Sequence, residues 1–258
     1  MNDGLGEHGK NRSGRRPFRL SFRTSPSPPG DDHAAGRSTR SCSSTRVLTS
    51  PVMAFYAHLV RHGEVDNPEH VVYGRMPGFG LTDRGRRQAI DAGRYLARRP
   101  IVAVWSSPLE RALATAVVIA QPHALPVHVD EDLTEWKLAD RWQGIVWEDL
   151  PERLPGELET YLETPWDMPF APESLEACAD RIAAAVVRAN ERHRDGDIVV
   201  VSHQDPVQAV RLLLTGRSLH DQHDEKPEHA TVITLENDVP WREVSRYDPA
   251  EQEPFPPG

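Results

Sequence analysis

The sequence predicts a three-layer α/β/α sandwich with a mostly parallel central sheet, folded from residues 53–250 of a 258-residue chain. Three observations lead there. Six short runs rich in Val, Ile and aromatic residues read as strands, amphipathic helical stretches separate most of them, and Gly, Pro or a capping residue punctuates the junctions. Strands joined through helices pair in parallel and are covered on both faces, so their side chains read as nearly continuous apolar runs.

The first strand runs from Phe55 to Val60 and is halted by Arg61-His62-Gly63-Glu64. A guanidinium and an imidazole thus stand at a strand's carboxyl end, where open α/β sheets hold ligands. Glu64 to Gly80 is a long connection carrying the turn signals Asn67-Pro68, Gly74 and Pro77-Gly78. Loops longer than about 12–15 residues in compact domains are usually functional. Thr82 is the N-cap of the first helix, whose apolar face is Ala89, Ile90, Gly93, Leu96 and Ala97. It ends before Pro100, and Ile101 to Trp105 form the second strand.

Ser107-Pro108-Leu109-Glu110 combines a serine cap, proline at the first helical position and glutamate at the third, so a second helix starts there. Its body, Ala112 to Ala120, is apolar nearly all round and packs on the sheet. Arg111 falls in the first turn. A cation there opposes the helix dipole, which makes sense when an anion is bound beside it. Thr115 reads as a packing residue.

Val127 to Val129 is a short third strand, and an acidic segment ending in Leu133-Thr134-Glu135-Trp136 follows it. From Ala139 to Pro172 the chain interleaves Trp142, Trp147 and Trp166 with prolines and acids, which suits an irregular cap of short helices packed through its tryptophans. Ser174 caps a long helix through about His193. Asp197 to His203 repeats the opening design: a β-branched run, then Ser202-His203. Asp205-Pro206 caps the following helix, which closes at Gly216. Thr231 to Leu235 and Glu243 to Tyr247 are the last strands, the final one near an edge.

Outside this frame, residues 1–52 are rich in Ser, Pro, Gly and Arg and are expected to be disordered, and residues 251–258 to be frayed. Arg15-Arg16 lacks the apolar stretch of an export signal. Met53 is expected to be the natural start, a hypothesis that peptides from residues 1–52 in the native protein would refute. Those 52 residues hold nine Lys and Arg against four Asp and Glu, and the remainder 21 against 35. An acidic body argues against nucleic acid as a partner, because that binding rests on phosphate neutralisation. No apolar window is long enough to span a membrane. Cys42 and Cys178, far apart in sequence, suggest reduced thiols in a cytoplasmic protein, with no disulfide framework and no metal site.

A parallel sheet brings Arg61, His62, Arg111, Glu135 and His203 to one edge. Two arginines and two histidines there make a positive pocket in an acidic domain, and arginine grips phosphate through forked hydrogen bonds. A neutral His62 can attack phosphorus, since nearby arginines favour its unprotonated form. Arg61, Arg111 and a protonated His203 would stabilise the equatorial oxygens, and Glu135 would move the proton. For that, either the pocket raises the pKa of Glu135 or the substrate brings the proton.

Leu59-Val60-Arg61-His62-Gly63-Glu64, then Leu81-Thr82 with Gly85 and Gln88-Ala89, then Ser106-Ser107-Pro108-Leu109-Glu110-Arg111-Ala112 with Thr115-Ala116 resemble the histidine phosphatase superfamily, in its phosphoglycerate-mutase-like branch. Leu133-Thr134-Glu135 with Trp142-Gln143-Gly144 is similar to its general-acid segment, and Val201-Ser202-His203 to its second histidine. The resemblance implies His62 as phosphorylated nucleophile, Glu135 as proton donor and Arg61, Arg111 and His203 as phosphate pocket, without a cofactor. Asn67 lies near the family's pocket asparagine. Gln204 replaces a usual glycine, and its amide is a candidate substrate contact. The expected activity is metal-independent hydrolysis of a small phosphorylated metabolite. Alternatives are a cofactor-dependent phosphoglycerate mutase and an inactive relative that binds phosphorylated ligands. Mutases of the family carry an inserted segment with extra basic residues, whereas residues 144–172 hold only Arg153 among many acids.

Overall fold

The computed structural model describes residues 55–249. The expectations for the first 52 residues and for residues 251–258 lie outside that range. Six strands form one sheet: β1 (Tyr56–Arg61), β2 (Ile101–Ser106), β3 (Val127–Val129), β4 (Asp197–Ser202), β5 (Val232–Glu236) and β6 (Arg242–Tyr247). Their order is β3-β2-β4-β1-β5-β6. β1 pairs in parallel with β4, and β2 with both β4 and β3. β5 runs antiparallel to β1 and β6 antiparallel to β5, so β5 alone reverses the strand direction.

Alternation along each strand divides the core in two. Leu59, Trp105, Ile198, Val200 and Ile233 face one layer, with α6 (Leu175–Arg192) and α7 (Gln204–Leu214) contributing Ile182 and Val207. Val60, Val104, Val199, Val201 and Val232 face the other, with α1 (Asp83–Leu96) and α2 (Glu110–Ala120) contributing Ala92, Leu96, Ala112 and Ile119. Helices on both faces of a mostly parallel sheet make the expected three layers. Between β3 and α6 lie short helices, α3 (Leu138–Arg141), α4 (Leu150–Arg153) and α5 (Glu157–Glu163), which with intervening turns make the cap.

Thr82 and Ser174 cap α1 and α6 as their sequence signatures imply, accepting from the backbone nitrogens of Gly85 and Ala177. Two other starts differ. α2 begins at Glu110 with Leu109 at the N-cap position, and α7 begins at Gln204 with His203 there. Asp205 is therefore not the cap that Asp-Pro suggests, its side chain being engaged by distant residues, whereas Ser107 Oγ accepts from the backbone nitrogen of Leu109 as a cap does and also meets a residue distant in sequence.

The order of the sheet places the site. The chain passes from β1 across β4 to reach β2, so the carboxyl ends of these three central strands enclose a crevice. One close approach fixes the corner after β1: a Cβ on Gly63 would stand 2.5 Å from the carbonyl oxygen of Gly85, and one on Gly85 would stand 2.1 Å from that of Glu64. Backbone meets backbone there, and no side chain fits between.

Candidate active site

His62 leaves the end of β1 and is almost wholly buried. Its Nδ1 lies 2.8 Å from the carbonyl oxygen of Gly63, which can only accept, so the ring proton sits on Nδ1. Arg111 Nε donates to His62 Nε2 across 3.3 Å, as it can only when that nitrogen keeps its lone pair. Burial above all, then Arg111 and Arg61, holds the imidazole well below its ordinary pKa. The ring is neutral, with its unprotonated nitrogen turned toward an arginine.

The corner that carries His62 is pinned from both helices of its layer. Thr115 accepts from the backbone nitrogen of Gly63 at 3.0 Å while donating to the carbonyl of Arg111. Gln88 accepts from the nitrogen of Glu64 at 2.9 Å. Thr115, which reads in sequence as helix packing, thus ties the turn of α2 that carries Arg111 to the loop that carries His62.

Arg111 is 1% exposed despite its charge. Its Nη2 donates to the carbonyl of Gly74 at 3.0 Å, and its guanidinium lies 4.6 Å from the centroid of the Tyr73 ring. The long connection after β1 therefore positions the arginine from outside. Arg61 donates Nη1 to the carbonyl of Pro227 and Nη2 to Nε2 of His229, each at 3.0 Å. Burial, then Arg61, pushes His229 down to about 3, so it is a neutral acceptor.

His203 ends β4 with its ring 5.2 Å from that of His62. Its Nε2 is 2.8 Å from Ser107 Oγ, and its Nδ1 is 3.7 Å from Glu135 Oε2. Burial, then Arg111 and His62, lowers its pKa well below the ordinary value. With only the pocket's own residues around it His203 is held toward its neutral form, whereas the protonated form expected from sequence is the one facing a transferring phosphoryl group. Desolvation of a fully buried ring is the largest cause, and the neighbouring cations act in the same direction.

Glu135 stands 4.0 Å from Arg111 Nη2 and accepts from the backbone nitrogen of Trp136 at 3.0 Å. Burial raises its pKa to about 7 against the opposing pull of Arg111, with Asp205 adding to the rise. The pocket itself thus holds this carboxyl half protonated near neutral pH. Arg61 Nε and His203 Nδ1 are among the buried polar side-chain atoms without a hydrogen-bond partner. A buried unsatisfied donor costs on the order of 1–3 kcal/mol. An oxyanion arriving beside His62 would meet both, together with Arg111.

Of the two remaining sequence candidates, Asn67 turns its amide onto Val71, donating to its carbonyl at 2.9 Å and accepting from its nitrogen at 3.1 Å, which closes the loop on itself. Gln204 donates to the carbonyl of Pro227 at 3.2 Å, the same oxygen that Arg61 holds. Ser107 and His229 belong to the cluster as well, and both are contacts between residues distant in sequence. Among the described residues no three His, Cys, Asp or Glu side chains form a metal-binding group.

The chain matches the histidine phosphatase superfamily (branch 1) over residues 57–246. It belongs to this superfamily. An uncharacterized protein of Mycobacterium tuberculosis is 40% identical over 186 residues, which cover 69% of this chain and 88% of that protein. Phosphoserine phosphatase 1 of Hydrogenobacter thermophilus is 32% identical over 166 residues, 62% of this chain and 76% of its own. Among solved structures, the mycobacterial glucosyl-3-phosphoglycerate phosphatase superposes with a TM-score of 0.65 at 26% identity, covering 74% of this chain and 97% of that one. As a histidine phosphatase the chain is a phosphomonoester hydrolase, and its sheet and flanking helices are of the phosphoglycerate-mutase-like kind.

Proposed function

We propose that this histidine phosphatase hydrolyses a small phosphorylated metabolite through a phosphohistidine on His62. The observation that carries the reading is the fixed tautomer of that ring: Gly63 holds the proton at Nδ1, and Arg111 Nε marks the place in front of Nε2 that a phosphoryl group would take. In the first step the Nε2 lone pair attacks phosphorus and the bond from phosphorus to the ester oxygen breaks. Glu135, protonated in part near neutral pH, gives its proton to the leaving oxygen. In the second step Glu135 takes a proton from water as that water attacks phosphorus, the nitrogen–phosphorus bond breaks, and inorganic phosphate leaves.

Arg61, Arg111 and His203 serve the equatorial oxygens. Ser107 Oγ accepts from the nitrogen of Leu109, leaving its own proton free for His203 Nε2. In that tautomer neutral His203 presents an N–H at Nδ1, so it donates to the phosphoryl group without first gaining a charge. Gln204 and Asn67 act at one remove, Gln204 by sharing the Pro227 carbonyl with Arg61 and Asn67 by shaping the loop. Nucleophile, acid and charge stabilisation all come from side chains, so activity should survive exhaustive EDTA treatment. Loss on chelation restored by one metal would overturn that part. Names of relatives that include two phosphatases favour hydrolysis over the mutase reaction. Buried, unpaired Cys178 suits a reducing cytoplasm.

The deciding experiment is His62→Ala with circular dichroism as a folding control. Turnover and acid-labile phosphoprotein should both disappear while the fold persists; undiminished turnover would sink the assignment.

A further inference from the structure

Glu135 has two sides. One faces the phosphoryl pocket, and the other lines a cavity of about 80 Å³ under the cap. Proton transfer to a leaving oxygen requires that oxygen to lie against Glu135, so the alcohol half of any substrate that phosphorylates His62 points toward this cavity. What lines the cavity then selects the alcohol.

The walls are Trp136, Trp142, Trp147 and Tyr161, closed by Val72 and Leu138. Three of the rings have committed their polar atoms elsewhere. Trp136 Nε1 donates to the carbonyl of Glu173, and Trp142 Nε1 donates to Glu157, which Arg141 also grips. Tyr161 donates its hydroxyl to Asp205 and receives a bond from Lys226 Nζ at 2.7 Å. These bonds fix the rings and leave carbon faces for the cavity. Trp147 completes the box, meeting Trp142 at 79° and Tyr161 at 82°.

The ionisable lining is acidic. Glu135 and Asp205 both contribute, and no Lys or Arg does. Burial works against the charge of Asp205, but Lys226, Tyr161 and Gln222 outweigh it and hold the carboxyl below its ordinary range. Asp205 is therefore an anion, and its Lys226 partner, 2.7 Å away, is already spent on it.

We propose that this cavity is the leaving-group subsite and that it selects phosphomonoesters of uncharged, apolar or aromatic alcohols while disfavouring alcohols that carry a carboxylate. The inference rests on the phosphatase reading of His62 and Glu135 and names the substrate class of that same site. It separates this chain from the alcohols in the names of two relatives, since serine and glycerate each bear a carboxylate. A carboxylate entering the cavity would lose its hydration, find no cationic partner and meet Asp205. An apolar group loses only its contact with water.

The test compares 2-phenylethyl phosphate, ethyl phosphate and the phosphate ester of 3-hydroxypropionate, unactivated alcohols of similar basicity, with the full chain. The phenylethyl ester should exceed the carboxylate ester in kcat/KM by roughly 100-fold, about 2.7 kcal/mol of discrimination. Trp147→Ala, at the partly exposed edge of the box, should lower the ratio of phenylethyl to ethyl phosphate about tenfold, chiefly through KM. Equal kcat/KM for the phenylethyl and carboxylate esters, or an unchanged ratio in Trp147→Ala, overturns the subsite and leaves the phosphatase reading standing. No turnover of any ester, in a protein that also forms no phosphohistidine with acetyl phosphate, overturns both.

Discussion

The corners after β1 and after β4 are built from the same parts and arrive at different chemistry. Each ends a parallel strand in a buried histidine whose pKa burial and nearby arginines depress. At the β1 corner the neighbouring Gly63 carbonyl takes the Nδ1 proton, leaving Nε2 as a base with Arg111 before it. At the β4 corner Nε2 is tied to Ser107 and Nδ1 is turned toward Glu135. One ring is held by a local acceptor and the other across 96 residues of sequence, and under the proposed mechanism the first attacks while the second donates. Burial and charge are alike at the two corners, so under the proposed mechanism it is the hydrogen-bond partner of each ring that separates the two roles.

The most severe break in that comparison is removal of the attacking ring. His62→Ala should lower kcat by roughly 10⁴-fold or more, as loss of a nucleophile does elsewhere. His203→Ala should cost about 10²–10³, the scale of a lost donor to a developing oxyanion, while phosphohistidine still forms slowly on His62. Rapid-quench trapping of the phosphoprotein distinguishes them, and equal trapping kinetics in the two variants would erase the distinction.

Smaller effects probe what surrounds the rings. Glu135 is half protonated near pH 7, so the acid form needed in the first step is lost as pH rises through about 7. The kcat/KM for an unactivated ester should fall about tenfold per pH unit well above that value. In Glu135→Gln that limb should be absent and the rate about 10²-fold lower, whereas a limb that persists assigns the titration to another group. Ser107→Ala should cost about tenfold, the worth of one hydrogen bond that orients His203. Imidazole ¹⁵N shifts should show the His203 tautomer populations changing while those of His62 stay fixed.

The smallest effect is on stability. Burial lowers the pKa of His58, His62, His203 and His229 in the native protein, while in the unfolded chain each takes up a proton near its ordinary 6.5. Below that value the unfolded state binds more protons, so their contribution is present above about 6.5 and lost as pH falls. Glu135, raised from 4.5 to about 7, acts in the opposite sense between those values. Calorimetry should show Tm several degrees lower at about pH 5 than at about pH 7; a Tm that rises on acidification would contradict the neutral histidines.

The sheet, the capped helices α1 and α6 and the residues at the ends of β1 and β4 were legible because periodicity, capping and strand termination act over a few neighbouring positions. The dipole misfit of Arg111 was legible for the same reason. Ser107 shows where legibility stops. Its Ser-Pro-x-Glu context is a local cap signature, yet the hydroxyl serves His203 from another strand. The Asp-Pro pair likewise reads as a helix cap, and Asp205 is committed instead to Tyr161, Gln222 and Lys226. His229 sits in the turn before β5 with no pattern around it, and only the pairing of β5 with β1 brings it to Arg61. The proton state of Glu135 needed the structure too, because desolvation depends on what folds over a residue.

β4 lies between β2 and β1, and every one of its residues is buried. A central strand of this kind opens to solvent only when the whole domain unfolds. Amide hydrogens leading up to His203 should therefore exchange at the rate of global unfolding, so this wall of the pocket lasts as long as the fold does. The connection from Glu64 to Gly80, which holds Arg111 through the Gly74 carbonyl, has many exposed residues and far less packing around it. Arg111 is thus steadied from outside by a loop that solvent reaches, beside a strand buried along its whole length.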